Sequence, residues 1–159
     1  DVYNAKYLES ALPIELSKAH SQNQSVGLLM IELPADAEGG RPAPEKSAEL
    51  VKAAVRPTDH VVRYDESSFL VILPSLNADL LHRIAVRIQD DLSEYMDVAS
   101  DDVAAPCIGG VVAVPAARKA STPDTVLNAL KATTVEAHTA SQRVAFQAVV
   151  GRKVRPLVP

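Results

Sequence analysis

Cysteine is nearly absent from this chain. The one present, Cys107, excludes an internal disulfide and has no partner for a cysteine-based metal site. A reducing, cytoplasmic setting is therefore expected. Positive charge is also short. The formal net charge is −4, so no basic excess draws the chain to nucleic acid or to an anionic membrane. Any anionic ligand must be held by a few local arginines. No apolar run approaches the roughly 20 residues that span a bilayer, and no secretory signal peptide opens the chain. No internal repeat is visible. The chain starts at Asp1 rather than Met, so it is expected to be a piece of a longer, multidomain protein. A membrane-tethered parent would keep this piece on its cytoplasmic side.

What is present suits one domain with a full core: 159 residues, 47% hydrophobic and 23% charged. Tyr7, Leu8, Ala11, Leu12 and Leu16 recur at helical spacing, and Pro13 should kink or restart that helix. Gln24 to Leu33 reads as a buried strand, Pro34 to Glu45 as a Pro/Gly/Ala loop, and Ser47 to Val55 as a helix. Two apolar runs at 60–65 and 68–74 flank Asp65-Glu66-Ser67-Ser68 and read as a hairpin with an acidic tip, closed by Pro74. From Asn77, a good N-cap, to Met96 runs one apolar stripe: Leu80, Leu81, Ile84, Ala85, Ile88 and Leu92. After a polar loop to Ala105, Cys107 to Val114 is a strand weakened by Gly109-Gly110. Ser121-Thr122-Pro123-Asp124 opens a helix to about Ala137, and Arg143 to Val150 is a last strand. Residues 151–159 read as a basic, Pro-bearing tail or linker after a domain over 1–150. The centre of this order is βαββαβ, the ferredoxin-like palm, an α+β fold with a largely antiparallel sheet flanked by helices.

At the hairpin the sequence resembles the GGDEF family of diguanylate cyclases and their degenerate relatives, and the likeness extends over nearly the whole chain. The family's opening pattern, N-R-R-x-[LF], is matched by Asn4-Ala5-Lys6-Tyr7-Leu8. Its first strand, L-L-x-I-D-L-D, is matched by Leu28-Leu29-Met30-Ile31-Glu32-Leu33-Pro34. Its R-x-x-D-x-x-x-R-[YF]-G-G-[DE]-E-F is matched by Arg56-Pro57-Thr58-Asp59 and then Arg63-Tyr64-Asp65-Glu66-Ser67-Ser68-Phe69. Cys107-Ile108-Gly109-Gly110 stands for S-I-G-V. Order and spacing, rather than any one fragment, make the match.

The departures fall on the reaction centre that the resemblance implies. The family's acidic metal ligand and its glutamate are Ser67 and Ser68 here. A hydroxyl is a poor Mg²⁺ ligand alone and no general base at neutral pH. Asp65 and Glu66 replace the two glycines against which a nucleotide lies, adding bulk and negative charge. Glu32 stands for a metal-binding aspartate. The substrate loop has no counterpart, since only Pro34 to Arg41 fills its place. The A-K-x-x-G-R-N segment is matched weakly by Ala137 to Arg143, with neither phosphate-facing cation in position. No cyclase activity, catalytic residue, metal or cofactor is expected.

The resemblance also implies a second, inhibitory site, R-x-x-D, for the product cyclic di-GMP. Arg56 and Asp59 hold its register, with five residues between Asp59 and Asp65. Arg87 stands where the family has a further arginine, and Arg83, one turn earlier, is a candidate to share the role. Arginine pairs with guanine O6 and N7, and a carboxylate accepts from its N1–H and N2–H₂ edge. The expectation is a cyclic di-GMP receptor that passes its signal to an attached or separate output protein. The ligand is often bound as a stacked pair, which allows a homodimer. The alternative is a ligand-free interaction or dimerisation module, with Arg56 and Asp59 a solvated ion pair. R-x-x-D alone discriminates little, since Arg87-Ile88-Gln89-Asp90 also fits it. The imidazoles of His60, His82 and His138 read as surface or edge groups, and Cys107 as a small buried hydrophobe.

Overall fold

A computed structural model describes residues 2–35, 39–115 and 120–157. Its elements are β1 (Tyr3–Asn4), α1 (Ala5–Ser21), β2 (Val26–Glu32), α2 (Pro44–Ala54), β3 (His60–Asp65), β4 (Ser68–Pro74), α3 (Ala78–Met96), β5 (Cys107–Val114), α4 (Pro123–Ala137), β6 (Val144–Val150) and β7 (Lys153–Pro156). One seven-stranded sheet runs β1-β3-β4-β2-β5-β6-β7. The β2–β4, β2–β5 and β3–β4 pairs are antiparallel, which is the expected palm.

Strand alternation sorts the core into two layers. Leu28 and Met30 of β2 and Leu70 and Ile72 of β4 face α1 and α4. Leu29, Ile31, Phe69, Val71 and Leu73 face α2 and α3. The glycines of β5 serve this packing. A Cβ on Gly109 would lie 2.5 Å from the Thr134 backbone nitrogen, so only glycine lets α4 sit this close to the sheet. No helix among the described residues is long and apolar enough to cross a membrane.

Three expectations are corrected. Helix α1 runs unbroken through Pro13, because Leu8, Leu12, Leu16 and Ala19 hold one buried face while Pro13 sits on the exposed one. Its first residues are preceded by a two-residue strand, β1, pairing parallel with β3 through Tyr3–Val62 and Asn4–Arg63. Residues 153–156 of the supposed tail form β7, antiparallel to β6. The expected loop at 34–45 lies partly outside the described residues, at 36–38, and α2 starts inside it with Pro44 at its first turn.

Candidate functional site

Arg56-Pro57-Thr58-Asp59 is a β-turn between α2 and β3. The Asp59 amide donates to the Arg56 carbonyl at 3.0 Å, with proline at the second position, where its fixed φ suits the turn. The Asp59 carboxylate closes the turn from the other side. Its Oδ2 accepts from the Arg56 amide at 2.7 Å. The guanidinium then folds over it. Nε donates to both oxygens at 3.1 Å, and Nη2 donates to Oδ1 at 2.8 Å. Nη2 also donates to the Pro74 carbonyl at 2.7 Å, while Nη1 reaches Ser75 O only at 3.5 Å. The pair thus ties the α2–β3 turn to the end of β4. Asp59's side chain is wholly buried, and Arg56's remains 34% exposed. This is not the solvated surface pair of the plainer expectation.

The partly exposed Arg56 borders a cleft of about 390 Å³, lined also by Tyr3, Lys52, Pro57, Asp59 and Val61. Arg87 and Arg83 do not join this pair through any ion pair described. On exposed positions of α3, Arg87 Nε pairs with Asp91 at 3.5 Å and Arg83 Nε with Asp79 at 3.3 Å.

The hairpin tip is self-contained. Asp65 Oδ1 accepts from the Ser67 amide at 2.9 Å and from the Ser67 hydroxyl at 3.2 Å, a turn closed by its own side chain. The Ser67 carbonyl accepts from Leu33 N, which fastens the tip to the end of β2. Ser68 is buried and lies opposite Glu32, with Cys107 on Glu32's other side. The carboxylate of Glu32 is held by His138, whose Nε2 lies 2.8 Å from Oε2. Arg143, just past α4, donates to the His138 carbonyl at 2.8 Å, to Ala105 O at 3.3 Å and to Cys107 Sγ at 2.7 Å. Burial pushes the Cys107 thiol up, against the opposing pull of the Arg143 guanidinium.

These residues do not suit a divalent metal. Glu32 is the one carboxylate in place and it is paired with His138, Ser67 is turned to Asp65, and no group of three metal-ligating side chains exists among the described residues.

Sequence reasoning missed three features. One is the Glu32–His138 pair. Another is the role of Arg143. The last is a cluster under β1: Tyr3 stacks on Tyr7, the Tyr7 hydroxyl shares a 2.6 Å hydrogen bond with His60 Nδ1, and His60 Nε2 lies 3.9 Å from Glu15. Burial raises the Tyr7 hydroxyl above its ordinary range, with neighbouring Tyr3 adding to the effect.

The family model described as "Diguanylate cyclase, GGDEF domain" matches residues 45–143. No curated protein sequence matches the chain. Among solved structures, the diguanylate cyclase SiaD of Pseudomonas aeruginosa, in complex with its activator SiaC, is 17% identical with a TM-score of 0.70, over 90% of this chain and 58% of its own. The S helix-GGDEF-EAL portion of Vibrio cholerae LapD, bound to c-di-GMP, is 17% identical with a TM-score of 0.70, over 92% of this chain and 35% of its own. The FimX GGDEF domain of Pseudomonas aeruginosa is 13% identical with a TM-score of 0.71, over 92% of this chain and 94% of its own. At these identities the likeness is one of fold.

Proposed function

The chain belongs to the GGDEF domain family, and on that premise we propose that it is a cyclic di-GMP receptor without cyclase activity, reading the dinucleotide at the Arg56 turn. The observation that carries the reading is the contrast between the two ends of β3. At one end Arg56 is held rigid by Asp59 and stays partly exposed on a cleft. At the other, the place of the reaction centre holds Ser67, Ser68 and a Glu32 already paired with His138. A preset guanidinium loses little on binding a guanine edge or a phosphate. Arg87 and Arg83 serve the ligand in this reading by leaving their exposed partners on α3, and signal passes to an output protein or to a second protomer. The GGDEF domain of Caulobacter crescentus DgcB, solved in complex with c-di-GMP and 15% identical with a TM-score of 0.68, supports a ligand of this class on this fold.

Calorimetric titration with cyclic di-GMP tests the reading. Saturable heat, lost with Arg56→Ala, is expected; no heat and no thermal shift at high micromolar ligand would sink it. One observation favours a second reading, that of a ligand-free interaction module. Both oxygens of Asp59 are already occupied, so the carboxylate serves the fold with no ligand bound. That reading predicts one oligomeric state with and without the nucleotide.

A further inference from the structure

Asp59 does not have a free oxygen to offer a guanine edge. Its side chain is fully buried, and its two oxygens accept from Arg56 N, Nε and Nη2. A base bound beside Arg56 must therefore be recognised by something else on the cleft wall.

The wall supplies an aromatic face. β1 places Tyr3 on the 390 Å³ cleft that Arg56 borders. One side of the Tyr3 ring is backed by Tyr7, with centroids 3.8 Å apart and the planes within 7°. Tyr7 is in turn fixed by its hydrogen bond to His60, so the stack is a braced platform. Tyr3 nonetheless stays 42% exposed. Lys52, from the last turn of α2, lines the same cleft. Two cations, Lys52 and Arg56, face it against one carboxylate, so the local charge is positive in a chain of net charge −4. A second cleft that Tyr3 also borders, about 380 Å³, has no such bias: one cation, Arg63, and one carboxylate, Glu45, line it, and the rest is largely apolar.

An exposed aromatic face beside two cations has the recognition chemistry of a purine nucleotide: the base stacks, and the phosphate takes the ammonium and the exposed part of the guanidinium. We propose that Tyr3 is the stacking platform for a purine base and Lys52 a phosphate contact in the cleft at Arg56. The proposal rests on the reading of Arg56 as a ligand residue, and it names two binding residues outside the R-x-x-D motif.

The test uses Tyr3→Leu, Tyr3→Phe and Lys52→Ala, titrated with cyclic di-GMP and, as separate probes, GMP and ATP, with thermal melts to establish folding. Tyr3→Leu should weaken binding about ten- to a hundredfold, the range for losing one base stack. Tyr3→Phe should bind like the wild type. Lys52→Ala should weaken binding and flatten its salt dependence, and it decides the matter if Tyr3→Leu does not fold. If the wild type binds cyclic di-GMP and both Tyr3→Leu and Lys52→Ala bind it equally well, the proposal is overturned and the receptor reading stands. If GMP or ATP binds in a Tyr3-dependent way and cyclic di-GMP does not, the receptor reading falls and the platform stands. If no purine nucleotide binds at millimolar concentration, both fall.

Discussion

Arg56 and Asp59 hold each other through backbone and side chain at once. The Asp59 amide donates to the Arg56 carbonyl, the Arg56 amide donates to Asp59 Oδ2, and the guanidinium covers both oxygens and continues to the Pro74 carbonyl. A motif expected to meet a ligand is also a brace between two parts of the chain.

The first prediction follows from the unequal burial of the pair. Arg56→Ala leaves a buried carboxylate with only a backbone amide as donor among the bonds described. It should cost about 3 kcal/mol, the low end for breaking a buried ion pair, because the guanidinium is partly exposed and screened. Asp59→Ala leaves an arginine that can turn to water and still reach Pro74, so the cost should be about 1–2 kcal/mol. Urea denaturation of both variants measures this. Negligible shifts in both would return the pair to the status of a surface contact. The larger cost at Arg56 also means that its binding defect must be read at temperatures where the variant is folded.

The second prediction concerns Gly109. Its added Cβ would meet the Thr134 hydroxyl and, 2.5 Å away, the Thr134 backbone nitrogen. The Thr134 hydroxyl donates to Leu130 O, so that turn of α4 is tied within its own helix. Gly109→Ala should therefore push α4 off the sheet and cost about 1–3 kcal/mol. Glycine at the exposed Gly39, where nothing lies within 4 Å, has no such role in packing. A melting temperature unchanged by Gly109→Ala would show that α4 shifts freely.

Most of the fold was legible because its strands are dense apolar runs and α3 carries one clean stripe. The bounds of β3, β4 and β5 agree with expectation. β1 and β7 were not legible. Two residues carry no period, and Lys-Val-Arg-Pro on an exposed sheet edge has no buried face to declare it. Pro13 misled because propensity outweighs packing only when the helix face is loose. At the candidate site the register of Arg56 and Asp59 was legible, but Arg56's acceptors at Pro74 and Ser75 are backbone carbonyls, which leave no mark on a sequence. His138 and Glu32 are 106 residues apart, and neither lies in a spacing that links them.

The third prediction is that restoring the signature does not restore a reaction. Ser67→Asp with Ser68→Glu would return two acids to the tip, yet Glu32 would still be engaged by His138. Asp65 and Glu66 would still add negative charge to the tip. GTP and Mg²⁺ incubated with the wild type or with this double variant should give no cyclic di-GMP by chromatography. Product from the wild type would overturn the proposed loss of activity. Product from the double variant alone would show that the Glu32–His138 pair does not block the reaction.

The last prediction uses the thiol. Cys107 is 2% exposed, and burial raises its titration above the ordinary thiol range despite the guanidinium at 2.7 Å. The nucleophile in alkylation is the thiolate, so the folded protein should react slowly at neutral pH and rapidly once urea unfolds it. The sign of the linkage follows. A folded-state value above the unfolded one means that the unfolded chain gives up its proton first as pH rises. The associated stability is complete below the unfolded thiol's range and is lost as pH climbs through the folded value. Cys107→Ser should remove that alkaline loss from the urea midpoint measured against pH. Arg143→Ala removes both effects that hold the titration down, the guanidinium charge and its hydrogen bond to the sulfur, so it should slow the folded thiol further. Faster labelling in the folded Arg143→Ala protein would show instead that Arg143 acts as a cover over the sulfur and not as its electrostatic partner.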